Sequence, residues 1–134
     1  AVTHDEVCHG SDSVGDSRPI GLERWTLDPQ ARTAERRVLD PTPQEFPRVD
    51  PRRFGQPYRY AYSLGLDRET TEFAPTSFLL KHDVEAGTRQ VHDFGPGRAP
   101  GEFVFVPAHD GAGEDEGWLL GLVINRPEET TDLV

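Results

Sequence analysis

Phe78-Leu79-Leu80-Lys81-His82-Asp83-Val84-Glu85-Ala86-Gly87-Thr88-Arg89-Gln90-Val91-His92-Asp93-Phe94 is the stretch from which the fold class can be read. Two short segments, Phe78 to Asp83 and Thr88 to Phe94, flank a polar connection containing Gly87, which can take positive φ. The pattern is a β-hairpin, and it recurs along the chain. Upstream, Leu22 to Leu27 and Ala34 to Leu39 flank Asp28-Pro29-Gln30-Ala31-Arg32-Thr33, which opens with a turn signal. Tyr58 to Leu64 leads into the quoted hairpin, and its Tyr60, Tyr62 and Leu64 alternate as a half-buried strand requires. Downstream come Glu102 to Val106 and then Trp118-Leu119-Leu120-Gly121-Leu122-Val123-Ile124. The last run is apolar at every position, so it is expected inside a sheet and covered on both faces. Thr131 to Val134 reads as the start of a further strand.

Helices find little room. The 12 prolines and 13 glycines interrupt nearly every window in which a helical period could build. Gln30 to Leu39 escapes them but lies in a hairpin context. Groups of short antiparallel strands joined by turns predict an all-β sandwich, barrel or propeller, and pattern alone does not choose among the three. Residues 1–20 are dominated by Asp, Ser, His and Gly and read as an irregular lead-in to a β region over residues 21–134. Hydrophobic residues make up only 34% and there is no methionine, even at position 1, which fits an internal segment of a longer protein. A piece of an open β-assembly leaves sheet edges uncovered, so marginal folding or association is expected of the chain alone.

The formal net charge of -10 repels phosphate backbones and argues against a nucleic-acid partner. Cys8 is the single cysteine, so no internal disulfide can form, as suits a reducing, cytoplasmic location. No apolar run approaches a membrane span, and Ala1 to Gly10 lacks the charged start and apolar stretch of a signal peptide.

Four motifs, in order, point to a family. Glu45-Phe46-Pro47-Arg48-Val49-Asp50-Pro51-Arg52, followed by Gly55 and Pro57-Tyr58-Arg59-Tyr60-Ala61-Tyr62, resembles the EFPR-DPR…G-PYRYAY stretch of carotenoid cleavage oxygenases. Leu80-Lys81-His82-Asp83 resembles their LVKHD strand. Gly95-Pro96-Gly97-Arg98-Ala99-Pro100-Gly101-Glu102-Phe103-Val104-Phe105-Val106-Pro107 resembles GPGR-PGEPVFVPR, and Glu114-Asp115-Glu116-Gly117-Trp118-Leu119-Leu120 resembles EDDGWLL. Phe103, Ala108 and Ile124-Asn125 depart from the pattern.

The resemblance implies about two blades of a seven-bladed β-propeller, incomplete in this chain. It implies part of an iron(II)-dependent dioxygenase that splits a carbon–carbon double bond of a carotenoid, apocarotenoid or stilbene. The partners would be an apolar polyene or stilbene and O2. Any peripheral membrane contact would be made by regions outside this segment. The iron histidines are expected elsewhere, so tight iron binding is not expected of these residues alone. The alternative is a non-catalytic propeller piece that serves as a binding module or has no independent function.

Within the segment, Glu45 and Glu102 match carboxylates that accept a hydrogen bond from the far ring nitrogen of an iron histidine. Such an acceptor fixes the tautomer and raises ligand basicity. Pro47 is expected to hold Phe46 extended and so to direct Glu45. Glu102 is in phase with Val104 and Val106, an apolar face on which an unpaired carboxylate would be costly. The family does not use the position of His82 as a ligand, His92 sits in a VHDFG-like strand, and His109 is expected to be solvated. His4 and His9 lie outside the match, and adjacent Cys8 and His9 would point to opposite faces of an extended strand. The acidic run Asp110 to Gly117 lacks calcium-loop spacing and reads as a solvated hairpin turn. Gly95 to Gly101 has no lysine-serine ending and reads as a link between strands.

Overall fold

Alternating side chains and frequent turns produce an antiparallel β-structure throughout the computed structural model, which describes residues 21–66 and 75–134. The lead-in at residues 1–20, with His4, Cys8 and His9, lies outside the described residues. Strands β1 (Leu22–Asp28) and β2 (Thr33–Asp40) pair as a hairpin. Strands β3 (Gln44–Arg48), β4 (Tyr60–Leu66), β5 (Pro75–Asp83) and β6 (Thr88–Asp93) form a four-stranded meander in chain order. Strands β7 (Arg98–Pro107), β8 (Gly117–Asn125) and β9 (Thr130–Leu133) form a three-stranded meander. Among the described residues the helical content is one 3-10 turn, Pro51–Arg53, capped by the Asp50 side chain.

The three strand groups read from sequence are all present. Strand β3 was not among them, because Pro47 interrupts its pattern. The glycine-rich link is shorter than expected, since Arg98 to Gly101 already belong to β7.

The four-stranded sheet packs face to face on the three-stranded one. Leu64 and Leu79 of the four-stranded sheet pack with Phe103 and Val123 of the three-stranded one, and Phe94 and Leu119 flank them. Phe94 stacks on Phe103 at 5.6 Å, and Tyr62 lies parallel to Phe105 at 5.9 Å. The register places Ala61 opposite His82 and Ser63 opposite Leu80, so these four residues share the other face, from which His82 reaches Asp40 at the end of the hairpin.

This arrangement reverses two burial expectations. Strand β4, read as half-buried, is buried at every position from Ala61 to Gly65. Strand β8, read as covered on both faces, alternates. Gly121, Val123 and Asn125 are buried, whereas Trp118 is 59% exposed and Leu122 56%. The amphipathic-looking strand is covered on both sides here, and the apolar one on one side. The side chains on β4's second face are small (Ala61, Ser63, Gly65), and a Cβ at residue 65 would lie 2.7 Å from Thr76 Oγ1 of the neighbouring strand.

Gly121 faces Phe103 across the β7–β8 pair, and a Cβ at residue 121 would lie 2.7 Å from the Phe103 ring. Gly121→Ala is therefore expected to lower stability by about 1–3 kcal/mol through overpacking, read as a reduced urea midpoint with unchanged slope.

Candidate functional site

Both carboxylates singled out in the sequence sit at β-bulges. In β3 the register slips between Glu45 and Arg48, so that Phe46 and Pro47 oppose Ser63 alone. Proline has no N–H to give the ladder, which explains the slip at this point. Phe46 takes φ 50°, in the left-handed region, and not the extended conformation expected of a residue before proline. The bulge overrides the local preference, and it is this bulge that sets the direction of Glu45. Glu45 is 4% exposed and lies opposite Leu64, on the face toward the three-stranded sheet.

Strand β7 slips between Pro100 and Phe103, next to Glu102. Glu102 does not lie on a buried apolar face. Phe103 and Phe105 point inward, while Val104, in phase with Glu102, is 46% exposed. Beyond the slip, the inward set falls on odd-numbered residues. The Glu102 carboxylate instead receives Nε and Nη2 of Arg48, an ion pair that joins the two bulges across the sheets.

The remaining motif residues form a brace around the loop between β7 and β8. Asp50, 1% exposed, accepts from Arg52 through both carboxylate oxygens and caps the Arg52 backbone N–H at 2.9 Å. Arg52 then donates to Ala112 O at 3.0 Å and Gly113 O at 3.2 Å. Glu114 Oε1 accepts from the backbone N–H groups of Arg59 and Tyr60, at 2.6 and 2.8 Å. Asp115 accepts from the Tyr62 hydroxyl at 2.9 Å and pairs with Lys81. The acidic run is thus a hairpin connection but not a solvated one, because Glu114 and Asp115 are docked on the four-stranded sheet. The missed signal was complementary charge in separate motifs, and composition alone does not show which acid meets which base.

Lys81, His82 and Asp83 diverge to three neighbours. Lys81 reaches the loop, His82 faces the hairpin, and Asp83 accepts from Arg59 and from the N–H groups of Ala86 and Glu85 in its turn. The Arg59 guanidinium and the turn amides hold the Asp83 carboxyl down at about 2. Bonding from Arg52 likewise lowers Asp50. Burial and the Asp115 hydrogen bond raise the Tyr62 phenol well above its ordinary value.

His82 is 4% exposed, with Nε2 3.2 Å from Ser63 Oγ and Nδ1 3.7 Å from Asp40 Oδ2. His92 meets the Phe94 ring edge-on at 4.5 Å. His109 is exposed and lies 3.3 Å from Glu116 Oε1. Among the described residues no group of three or more His, Cys, Asp or Glu side chains is placed to hold a metal ion.

Residues 3–134 match the family model described as retinal pigment epithelial membrane protein. The chain is 38% identical to the apocarotenoid-15,15'-oxygenase of Synechocystis over 97% of its own length and 29% of that protein's. It is 36% identical to lignostilbene-alpha,beta-dioxygenase isozyme III of Sphingomonas paucimobilis, over 88% of this chain and 26% of the other. The solved structure of cobalt-substituted Synechocystis apocarotenoid oxygenase superposes with a TM-score of 0.76 at 40% identity, covering 87% of this chain and 24% of that one. The chain thus spans between a quarter and a third of these curated relatives.

The brace and the bulge pair should separate in mutagenesis. Asp50→Ala, which leaves Arg52 without its buried partner, is expected to cost about 2 kcal/mol in urea unfolding, and Arg48→Ala, at an exposed pair, less than about 1 kcal/mol. Asp40, Asp50 and Asp83 all titrate below the unfolded value of 3.8 when folded. Their contribution to stability is present above pH 4 and is expected to be lost as pH falls toward 2, which thermal unfolding across that range would record.

Proposed function

Because the chain belongs to the retinal pigment epithelial membrane protein family, the carotenoid cleavage oxygenases, we propose that it forms the histidine-supporting part of an iron(II)-dependent dioxygenase. That enzyme would cleave a carbon–carbon double bond of an apolar polyene or stilbene with O2. The names of its relatives, apocarotenoid oxygenase and lignostilbene dioxygenase, support that substrate class. The observation that carries the reading for this segment is Glu45, a carboxylate 4% exposed beside a left-handed Phe46. Burying a carboxylate is costly, and backbone strain persists only where the surroundings enforce it. Both features suit a residue held in place to meet a partner.

In this reading Glu45 and Glu102 each accept the ring N–H of a histidine supplied by another part of the protein. The other ring nitrogen then presents its lone pair outward. Arg48 orients Glu102 from behind. Iron supplies the oxygen chemistry when bound, and these residues supply tautomer control and charge balance. No helix among the described residues is long and apolar enough to cross a membrane. A cytoplasmic location, with any membrane contact made through other regions, belongs to the same proposal.

The test is a segment exchange. The corresponding quarter of Synechocystis apocarotenoid-15,15'-oxygenase is replaced by this chain, and iron retention is titrated against a competing chelator. The exchanged protein is expected to hold iron and cleave apocarotenoid, and Glu45→Gln to lower metal affinity about 10–100-fold. Undiminished affinity in both Glu45→Gln and Glu102→Gln would refute the supporting role. An exchanged protein that folds but neither holds iron nor cleaves would favour the non-catalytic reading.

A further inference from the structure

His82 belongs to a hydrogen-bond chain whose direction can be read from one end to the other. Gln44 Nε2 donates to the backbone carbonyl of Thr42 at 3.0 Å, which leaves Gln44 Oε1 as an acceptor. The Ser63 hydroxyl donates to that oxygen at 2.7 Å. A hydroxyl has one hydrogen, and this one is committed. Ser63 Oγ can therefore only accept from His82 Nε2, 3.2 Å away. Ser63 is 2% exposed and Gln44 fully buried, so no bulk water competes for these bonds.

The consequence falls on the opposite ring nitrogen. With the proton on Nε2, the neutral ring turns the Nδ1 lone pair toward Asp40 Oδ2, 3.7 Å away. Two acceptors then face each other. Asp40 is held where it is by Arg89, whose Nη1 donates to Oδ2 at 2.8 Å, and by the Thr42 N–H, which donates to Oδ1 at 2.8 Å. Arg37, Asp83 and Arg89 line the same polar recess as Asp40 and His82. Asp40 ends the β1–β2 hairpin, whereas His82 and Arg89 belong to the four-stranded sheet. The contact is therefore a joint between two layers.

We infer that this joint is operated by a proton at His82 Nδ1. The neutral ring, protonated at Nε2, leaves the His82–Asp40 contact open, and an added proton turns it into a direct ion pair that competes with Arg89 for Asp40. Burial, partly offset by Asp40 and reinforced by Arg89, holds the folded imidazole below its ordinary value of 6.5. As pH falls below 6.5, the unfolded chain takes up this proton before the folded one does. His82 therefore withdraws stability across that window and no further once the folded ring is charged.

The test is nitrogen-15 NMR of the ring on the 134-residue chain. At pH 8 the expected spectrum shows a protonated Nε2 and a lone-pair Nδ1, with Nδ1 gaining the proton below pH 6.5. Asp40→Asn can turn an amide N–H toward Nδ1, and it is expected to lower the His82 midpoint by about one unit or more. Ser63→Ala removes the Nε2 acceptor, and it is expected to move the neutral proton to Nδ1. A wild-type ring protonated at Nδ1 at pH 8 overturns the inference, whether or not the variants fold. So does a His82 midpoint unchanged in a folded Asp40→Asn chain.

Discussion

Strand β4 has no face toward solvent, and most of the molecule is arranged by that constraint. From Ala61 to Gly65 every residue is buried. One face carries Tyr62 and Leu64 into an aromatic and aliphatic core shared with Phe103, Phe105 and Val123. The other carries the small residues Ala61, Ser63 and Gly65, beside the buried Gln44 and His82. A strand covered twice must satisfy any polar group internally. That is why one side holds a chain of hydrogen bonds running from Thr42 through Gln44 and Ser63 to His82, and the other side ends its tyrosine on Asp115.

The polar brace extends the same logic to the loop between β7 and β8. Glu114 takes the N–H groups of Arg59 and Tyr60 where β4 begins, before the ladder can use them. Arg52 covers the carbonyls of Ala112 and Gly113. Surface ion pairs taken singly contribute little. Here they share partners and complete backbone valences, so the loop and the sheet are ordered together.

The two bulges bear on the proposed role of the segment. A proline in β3 forces one of them and leaves Phe46 in a conformation that a residue with a side chain rarely adopts. The Arg48–Glu102 pair ties it to the other. Two carboxylates on neighbouring sheets are thereby held in register by features that a regular ladder would lack.

Much of this was legible from residue order. Turn residues and period-two alternation marked the hairpins, and the motifs around Glu45, His82, Glu102 and Glu114 pointed to the family. The turn chemistry of Asp83 to Thr88 is local, and so it could be read locally. What lay over each strand could not. Alternation says which side chains share a face but is silent on whether another layer covers it, so the coverage of β4 and β8 came out reversed. Nor could sequence show that Asp50, Glu114 and Asp115 would meet Arg52, the start of β4 and Lys81, because those pairings depend on how sheets stack. The conformation of Phe46 and the surroundings of Glu102 were likewise tertiary decisions. In each case the packing of layers, a long-range constraint, outweighed the local preference of a single residue.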